Sequence, residues 1–429
     1  MLILVQNLPV PFDRRVWQEA CALRDAGFDV SVICPNSEQY PALHEELDGV
    51  HVYRYKPRLE ARGIGGYLVE YGVALSAMTV LAWRVAAGRR LDIIHACNPP
   101  DLLFLVAMPL VVLRRAKFVF DHHDVSPELL MAKGRGSNSR VVRLSRVLER
   151  ITFGCSVVSI ATNESYREVA LSRGGMSADD VFVVRSGPAG FDPVAPDPRL
   201  KRGRRHLVGY VGVMGEQEGL HLLLEAAQIM ITQYGRTDVT FTLVGSGPEA
   251  QRLRAACEAM GLGEHVDFRG RLSNEDLVQV LSTADVCVNP DEVNPMNDMS
   301  TMNKIVEYMA LGRPIVQFDT REGRVSAADS SLYAAPNDPQ SLADEICRLL
   351  DEPALRAEMG ARGRERFNNE LSWSRQVPTL LAAYSRAQSK SRFDINLLRP
   401  SWWRRKGPDA QMRGCQSGAL SSRSSPTVP

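Results

Sequence analysis

Short apolar runs alternate along the chain with stretches whose apolar positions recur at helical spacing, and the alternation restarts once. Leu2–Val5 is an apolar run that predicts a buried strand. Arg15–Ala26 has helical spacing and ends at Gly27, and Val30–Cys34 is a β-branched run ended by Pro35. Val50–Tyr55, Ile93–Ala96 and Phe118–Phe120 read as further strands, and Tyr67–Ala87 as a long amphipathic helix. Leu102–Leu113 is apolar but interrupted by Pro109, so a buried helix is expected there. No unbroken apolar run reaches the roughly 18–20 residues of a membrane span. Val157–Ala161 and Val181–Val184 close the first half. Short apolar runs between helices imply a parallel sheet covered on both faces.

Pro188–Arg205 holds four prolines and the basic run Lys201–Arg205, and is the best linker in the chain. After it the pattern repeats. Strands are expected at Leu207–Val211, Val239–Val244, Val266–Arg269 and Val286–Asn289, with helices at Leu220–Tyr234, Glu249–Met260 and Asn274–Ser282. The expected fold class is α/β, with two Rossmann-like doubly wound domains facing a cleft, over residues 1–195 and 206–370. Pro353–Ala387 is helical and charged, and its 371–388 part is expected to cross back to the first domain. Residues 389–429, rich in Gly, Ser and Pro, are expected to be a disordered tail. Ligand should lie at the carboxyl ends of the strands.

A chain of 429 residues is too long for one ordinary core. Its net charge of +1 gives no reason to expect nucleic acid as a partner. The eight cysteines are scattered without a C-x-x-C pair, which indicates neither a zinc site nor a disulfide framework. Met1–Val5 opens a strand with no basic stretch before it, so no signal peptide is expected, and a reducing cytoplasm fits.

Candidate chemistry concentrates at the turns. Asn297–Val316 reads as a short helix between punctuation marks: Ser300 as N-cap, Gly312 in the left-handed conformation at its end, and Pro314 beyond. Asn303 and Glu307 share a face. Such a helix could hold a diphosphate at its N-terminal amides and ribose hydroxyls on Glu307, or be a capped surface helix with a solvated Glu. Val244–Glu249, with Gly245 and Gly247, and Tyr210–Gly219, with Gly212 and Gly215, follow strands and allow close backbone approach; plain tight turns are the alternative. Phe120–Glu128 places His122 and His123 at a strand end, suited to a sugar hydroxyl or a leaving oxygen. Neighbouring strand residues face opposite ways, so the two imidazoles chelate a metal poorly. Asp13, Arg14 and Arg15 follow the first strand and either bind an acceptor or cap the helix. Arg143, Arg146 and Arg150 share a helical face for anionic lipid or for solvent, and Trp402–Lys406 presents the same choice.

Taken together, these residues resemble family 4 of the retaining glycosyltransferases, which have the two-Rossmann GT-B fold. The resemblance covers roughly residues 1–388 and rests on Asn7–Trp17, Asp121–Glu128, Thr162–Arg167, Val184–Gly187, Tyr210–Gly219, Leu243–Glu249, Phe268–Gly270 and Ser300–Gly312. It is nearest the bacterial surface-polysaccharide transferases. The resemblance implies a nucleotide-sugar donor, with a UDP-sugar expected, held mainly by the second half. It implies a glycan or lipid-linked acceptor on the first half, retention of α configuration, and no essential metal or other cofactor. It places Glu307 on the ribose, His123 against the transferred sugar, Gly245 and Gly247 beside the nucleotide, and Arg269 near the base. Ser300, Thr301, Met302, Asn303, Gly212 and Gly215 join the expected donor site. Asp13, Arg14, Arg15 and His122 form the expected acceptor site. A cytoplasmic enzyme with peripheral contact to an anionic membrane is expected. Two departures stand out. The first acid of the family's E-x7-E motif falls at Met299, so adjacent Asp298 is the candidate substitute. The family's diphosphate-gripping Arg and Lys fall at Val213 and Glu218, which makes Lys304 the candidate replacement. The alternatives are a sugar-nucleotide 2-epimerase of the same fold and a non-catalytic nucleotide-sugar-binding subunit.

Overall fold

The computed structural model describes residues 1–57, 63–132, 134–188 and 191–390. The tail beyond Lys390, with the Trp402–Lys406 cluster, lies outside the described residues. The strands of the first domain are β1 (Leu2–Val5), β2 (Ser31–Pro35), β3 (His44–Leu47), β4 (Val50–Tyr55), β5 (Ile93–Cys97), β6 (Lys117–His122), β7 (Val158–Ala161) and β8 (Val181–Val183). They form one sheet in the order β3-β4-β2-β1-β5-β6-β7-β8, parallel except for β3. The strands of the second domain are β9 (His206–Val211), β10 (Val239–Val244), β11 (Val266–Gly270), β12 (Val286–Asn289), β13 (Ile315–Phe318) and β14 (Ser331–Ala334). Their order is β11-β10-β9-β12-β13-β14, all parallel. In each sheet the order reverses beside the domain's first strand, at β1 and at β9. Successive connections leave there in opposite directions and open a crevice at the strand ends.

The strands of the first domain centre are buried along their whole length, as a sheet covered on both faces requires. The edge differs from expectation. It carries β3, whose His-Glu-Glu-Leu sequence has no apolar run to mark it as a strand. It pairs antiparallel with β4, and its charged, half-exposed side chains guard the sheet edge.

The long helix spans Gly63–Gly88 and buries Ala74, Met78, Ala82 and Val85 on the sheet. Its Val69–Gly88 stretch is long and apolar enough to cross a bilayer, by length and composition alone. A search for an unbroken apolar run misses this because Ser76, Thr79 and Arg84 interrupt it. The Phe104–Arg114 helix buries Val106, Ala107 and Leu110 but leaves Leu105, Val112 and Leu113 exposed, so it is covered on one side only.

The C-terminal helical region is broken where one helix was expected. A helix at Pro353–Arg366 passes through a widened turn at Phe367–Leu371, and a second helix runs over Trp373–Ser389. This last helix seats Leu380, Ala383, Tyr384 and Ala387 among Ile3, Val5, Val158 and Ile160 of the first domain. Tyr384 Oη lies 2.5 Å from His95 Nδ1 inside that core. Because Leu380 is fully buried, Leu380→Ala is expected to destabilise the protein by about 2–5 kcal/mol. Urea unfolding followed by tryptophan fluorescence checks this; a loss within error of zero would mean the helix is only loosely seated.

Candidate active site

The first wall of the cleft is built from turns at the carboxyl ends of β1, β5 and β6. After β1, Asp13 caps the Arg14–Asp25 helix, its Oδ1 accepting from the Val16 N–H at 3.1 Å. Arg14 and Arg15, about 100° apart on that helix, diverge. Arg15 turns inward, where its guanidinium donates to Asp121 Oδ1 at 3.0 Å, to the Val184 carbonyl at 2.8 Å and to His123 Nε2 at 3.0 Å. Glu19 lies 3.1 Å from the same guanidinium. Burial opposes ionisation of Asp121, but Arg15 and His123 hold its carboxyl well below the usual range. Burial, with Asp121 alongside, pushes Glu19 well above it. His123 Nε2 also meets Asp121 directly, which fixes the ring and leaves its other edge toward the cleft. Asn98, after β5, accepts from the backbone N–H groups of His123 and Asp124 at 2.6 and 3.1 Å and so shapes this turn.

The second wall is made of two glycine turns packed on each other. A Cβ added at Gly245 would lie 1.8 Å from the Gly212 carbonyl oxygen, and one at Gly247 would lie 2.5 Å from that of Met214. The bonds Gly212 N–H to Val244 O and Met214 N–H to Ser246 O stitch the turns together. These glycines are therefore required by chain packing, independently of any ligand. Beneath them Lys304 is buried, with Nζ 2.6 Å from Asp291 and 2.8 Å from Glu218, and 5.0 Å from the Tyr210 ring centroid. Burial pushes the Asp291 carboxyl up to about 7, against the pull of Lys304.

A cavity of about 280 Å³ lies between the walls. It brings together Asp13, Arg15, His123 and Asp124 of the first domain with Ser300, Thr301, Met302 and Asn303 of the second. Tyr166 Oη bonds Ser300 Oγ at 3.1 Å, and Asn163 Nδ2 donates to the Met299 carbonyl at 2.8 Å, so the two walls meet directly. Glu307, one turn into the Asn303–Ala310 helix, is reached by Arg14 at 3.2 Å across the cleft. Burial pushes the Glu307 carboxyl up to about 7, against the effect of Arg14.

Six expectations need correction. His122 is fully buried between Phe153 and Tyr166 rather than facing an acceptor, because it points to the opposite side of β6 from His123. Its burial, with Arg173 nearby, holds the imidazole neutral with a pKa down to about 3. Arg15 borders the cavity, but its donors are used inside the first domain, so it does not offer an acceptor a free guanidinium. Ser300 is not the N-cap: the helix starts at Asn303 after Met302, without a side-chain cap, and Ser300 Oγ bonds to the Met296 carbonyl. Asp298 is absent from the cavity lining and caps a different helix through the Arg321 N–H at 2.8 Å. Lys304 is an internal counter-ion, not an open cation. Arg269 is exposed and paired with Asp267 at 3.3 Å on its own strand. Arg271, two residues on, reaches Ser246 Oγ at 2.9 Å and lies over the Phe12 ring across the cleft. Asn98, Asp124 and Asn163 were missed by sequence reading, since a polar residue at a strand end has no period to mark it.

Two clusters of ligand-type side chains occur among the described residues, His95–Cys97–Asp121 and Glu19–Asp121–His123. Arg15 already supplies the positive charge beside Asp121 and Glu19.

Two parallel switch-point sheets facing a cleft, with a uniformly parallel second sheet and a crossover helix, define a GT-B protein. Comparison with known families agrees. The model of the family described as Glycosyl transferase 4-like domain matches residues 13–187, and that of Glycosyl transferases group 1 matches residues 205–352. The chain belongs to the family 4 glycosyltransferases. It is 30% identical over 189 residues to 2-deoxystreptamine glucosyltransferase of Streptomyces kanamyceticus, and spans 43% of its own length and about half (47%) of that relative. It is 25% identical to glycogen synthase of Mycobacterium tuberculosis over 88% of this chain and 92% of the other. Among solved structures, sucrose-phosphate synthase from Thermosynechococcus elongatus superposes with a TM-score of 0.74 at 18% identity, over 91% of this chain and 100% of that one. HepE of Anabaena, solved with UDP and glucose, superposes with a TM-score of 0.68 at 18% identity over 90% and 98%.

The Lys304 cluster makes a direct prediction. Lys304→Met leaves buried Asp291 without its counter-ion beside half-buried Glu218, and is expected to cost about 3 kcal/mol of stability. Adding Asp291→Asn is expected to recover most of the loss. Urea denaturation of the single and double variants checks this, and an unchanged midpoint for Lys304→Met would contradict the counter-ion role.

Proposed function

We propose that the protein transfers a sugar from a UDP-sugar to a glycan or lipid-linked saccharide, with retention of α configuration. The observation that carries the reading is the single cavity joining His123 to the Ser300–Asn303 helix entrance. The Asn303–Ala310 helix begins without a side-chain cap, so its first amides are available to a diphosphate. Glu307, on the next turn, accepts the ribose hydroxyls on Oε2, beside the Oε1 that Arg14 holds. Arg14, half-exposed, and Arg271 are the cations on the cleft that replace Lys304 in the donor site. Glycosyltransferase relatives and the HepE complex with UDP and glucose support the donor class.

His123 contacts the transferred sugar, and Asn98 and Asp121 position it. A front-face displacement fits the carboxylates around the cavity. Asp13 is used as a cap and Glu218 is bound to Lys304. Asp124 sits in the turn held by Asn98, whose side chain accepts from its backbone N–H, and burial raises its carboxyl above the ordinary value. In the front-face route the bond from the anomeric carbon to the leaving diphosphate breaks as the acceptor oxygen bonds on the same face. The acceptor proton passes to the departing phosphate oxygen. No metal enters this reading, because the leaving charge is met by helix amides and arginines.

A thermal-shift panel of UDP-, GDP- and dTDP-sugars tests the donor. A UDP-sugar is expected to raise the melting temperature most; no shift with any would remove the reading. NMR of the product is expected to show an α linkage from an α-linked donor. Incubation with donor alone should leave the configuration at C2 unchanged. Glu307 adds a pH test. Ribose bonding favours its ionised form, so binding lowers a pKa that stands at about 7 in the empty cleft. Affinity for a UDP-sugar is therefore expected to rise between pH 6 and pH 8, approaching a limit of about tenfold per unit of pKa shift. Calorimetric titration checks this against Glu307→Gln, which is expected to bind more weakly and without that pH dependence.

A further inference from the structure

Ten of the seventeen exposed large apolar side chains among the described residues sit on three helices of the first domain. These are Gly63–Gly88, Phe104–Arg114 and Arg140–Cys155, which together with the Glu164–Ser172 helix cover one face of the eight-stranded sheet. Their inner sides are buried, so none of the three spans a bilayer in this fold. Their outer sides carry Val80, Leu113 and Leu144 at 69%, 66% and 57% exposure. Scattered apolar side chains need no explanation, but a concentration of this size on one layer does.

Charge identifies what covers it. The Phe104–Arg114 and Arg140–Cys155 helices contain one carboxylate, Glu149, which is fully buried against Arg173. Their exposed charged side chains, Arg114, Arg140, Arg143 and Arg150, are all cationic. Arg146 is tied to the Ser137 carbonyl and Met131, so the basic face differs from the Arg143–Arg146–Arg150 stripe expected from spacing. At one end of the layer, Arg89, Arg90, Arg114, Arg115 and Lys117 line a groove of about 960 Å³. Asp29 and Asp92 pair with Arg89 and Arg90, leaving Arg114 and Arg115 exposed beside Val112 and Leu113. The described chain ends in the same place. Gln388 lines the groove, and Lys117 Nζ donates to the Lys390 carbonyl at 2.6 Å. The remaining 39 residues, which carry Trp402-Trp403-Arg404-Arg405-Lys406, therefore leave from this basic end.

We propose that this outer helical layer, with its basic end at Arg114 and Arg115, is the docking surface for an anionic phospholipid bilayer. Apolar side chains flanked by arginines suit the headgroup region: Val112 and Leu113 enter the acyl boundary while the guanidinium groups hold phosphates. The Gly63–Gly88, Phe104–Arg114 and Arg140–Cys155 helices do not line the cavity of His123, so donor binding and membrane binding fail separately.

Cosedimentation of the full chain with vesicles tests it, using phosphatidylcholine alone and phosphatidylcholine mixed with phosphatidylglycerol. Binding to the mixed vesicles is expected to exceed that to phosphatidylcholine by about tenfold or more, and to fall with added salt. Arg114→Glu with Arg115→Glu is expected to abolish the preference. Val112→Glu with Leu113→Glu is expected to lose binding to both. Both double variants should keep the wild-type melting temperature and nucleotide-sugar response, which separates lost docking from lost folding. Trp402→Ala with Trp403→Ala is expected to weaken binding by a few-fold. The proposal is overturned if the wild type stays in the supernatant with mixed vesicles. It is also overturned if only the tryptophan variant loses binding, or if light scattering shows the helical layer occupied by a second copy of the chain.

Discussion

The buried guanidinium of Arg15 organises the first domain. It bonds to β6 through Asp121, to the chain after β8 through Val184, to the candidate-site wall through His123, and lies against Glu19 of its own helix. Burying an ion costs several kcal/mol unless its partners are well placed. That cost is offset only while β1, β6 and β8 keep their spacing. The same cluster reaches His95, 3.5 Å from Asp121, and through it Tyr384 of the crossover helix. One charge thus ties the C-terminal helix, the sheet and the candidate histidine together. Because Arg15 is spent inward, its neighbour Arg14 is free to reach Glu307 on the other wall.

The second domain solves a similar problem with opposite signs. Glu218, in the loop after β9, faces Lys304 on the Asn303–Ala310 helix. The ammonium also holds Asp291 at the end of the β12 connection. The glycine turns above depend on the same economy of space: Gly245 has φ of +137° and sits against the Gly212 carbonyl. A side chain there would push the two turns apart and move the helix start that lines the cavity.

The two walls touch through a few polar contacts, among them Asn163 with Met299, Tyr166 with Ser300 and Arg14 with Glu307. Such contacts are easily exchanged for ligand, unlike the apolar cores on either side. An enclosed site that must admit and release a substrate is well served by this division.

The doubly wound class, its two Rossmann-like sheets and most central strands were legible in the residues themselves. Buried parallel strands must be apolar runs, and the period of their helices survives in any context. The resemblance of the motifs likewise placed His123 and the Ser300–Asn303 segment in one site, because turns after parallel strands converge at the switch point. What the residues could not disclose is which of two neighbours faces the cleft. His122 and His123, or Arg14 and Arg15, are equivalent as letters, and only strand pleat and helix rotation separate them. The partner of Lys304 was likewise hidden, since Glu218 is far from it in sequence and the contact exists only once β9 lies beside β12. The charged edge strand β3 escaped for a related reason: its pairing with β4, not its own composition, makes it a strand. The sequence by itself determined the period, the layers and the chemical inventory. Tertiary structure decided which charges are consumed in holding the domains together and which remain for a ligand, because that division depends on distances between residues far apart in the chain.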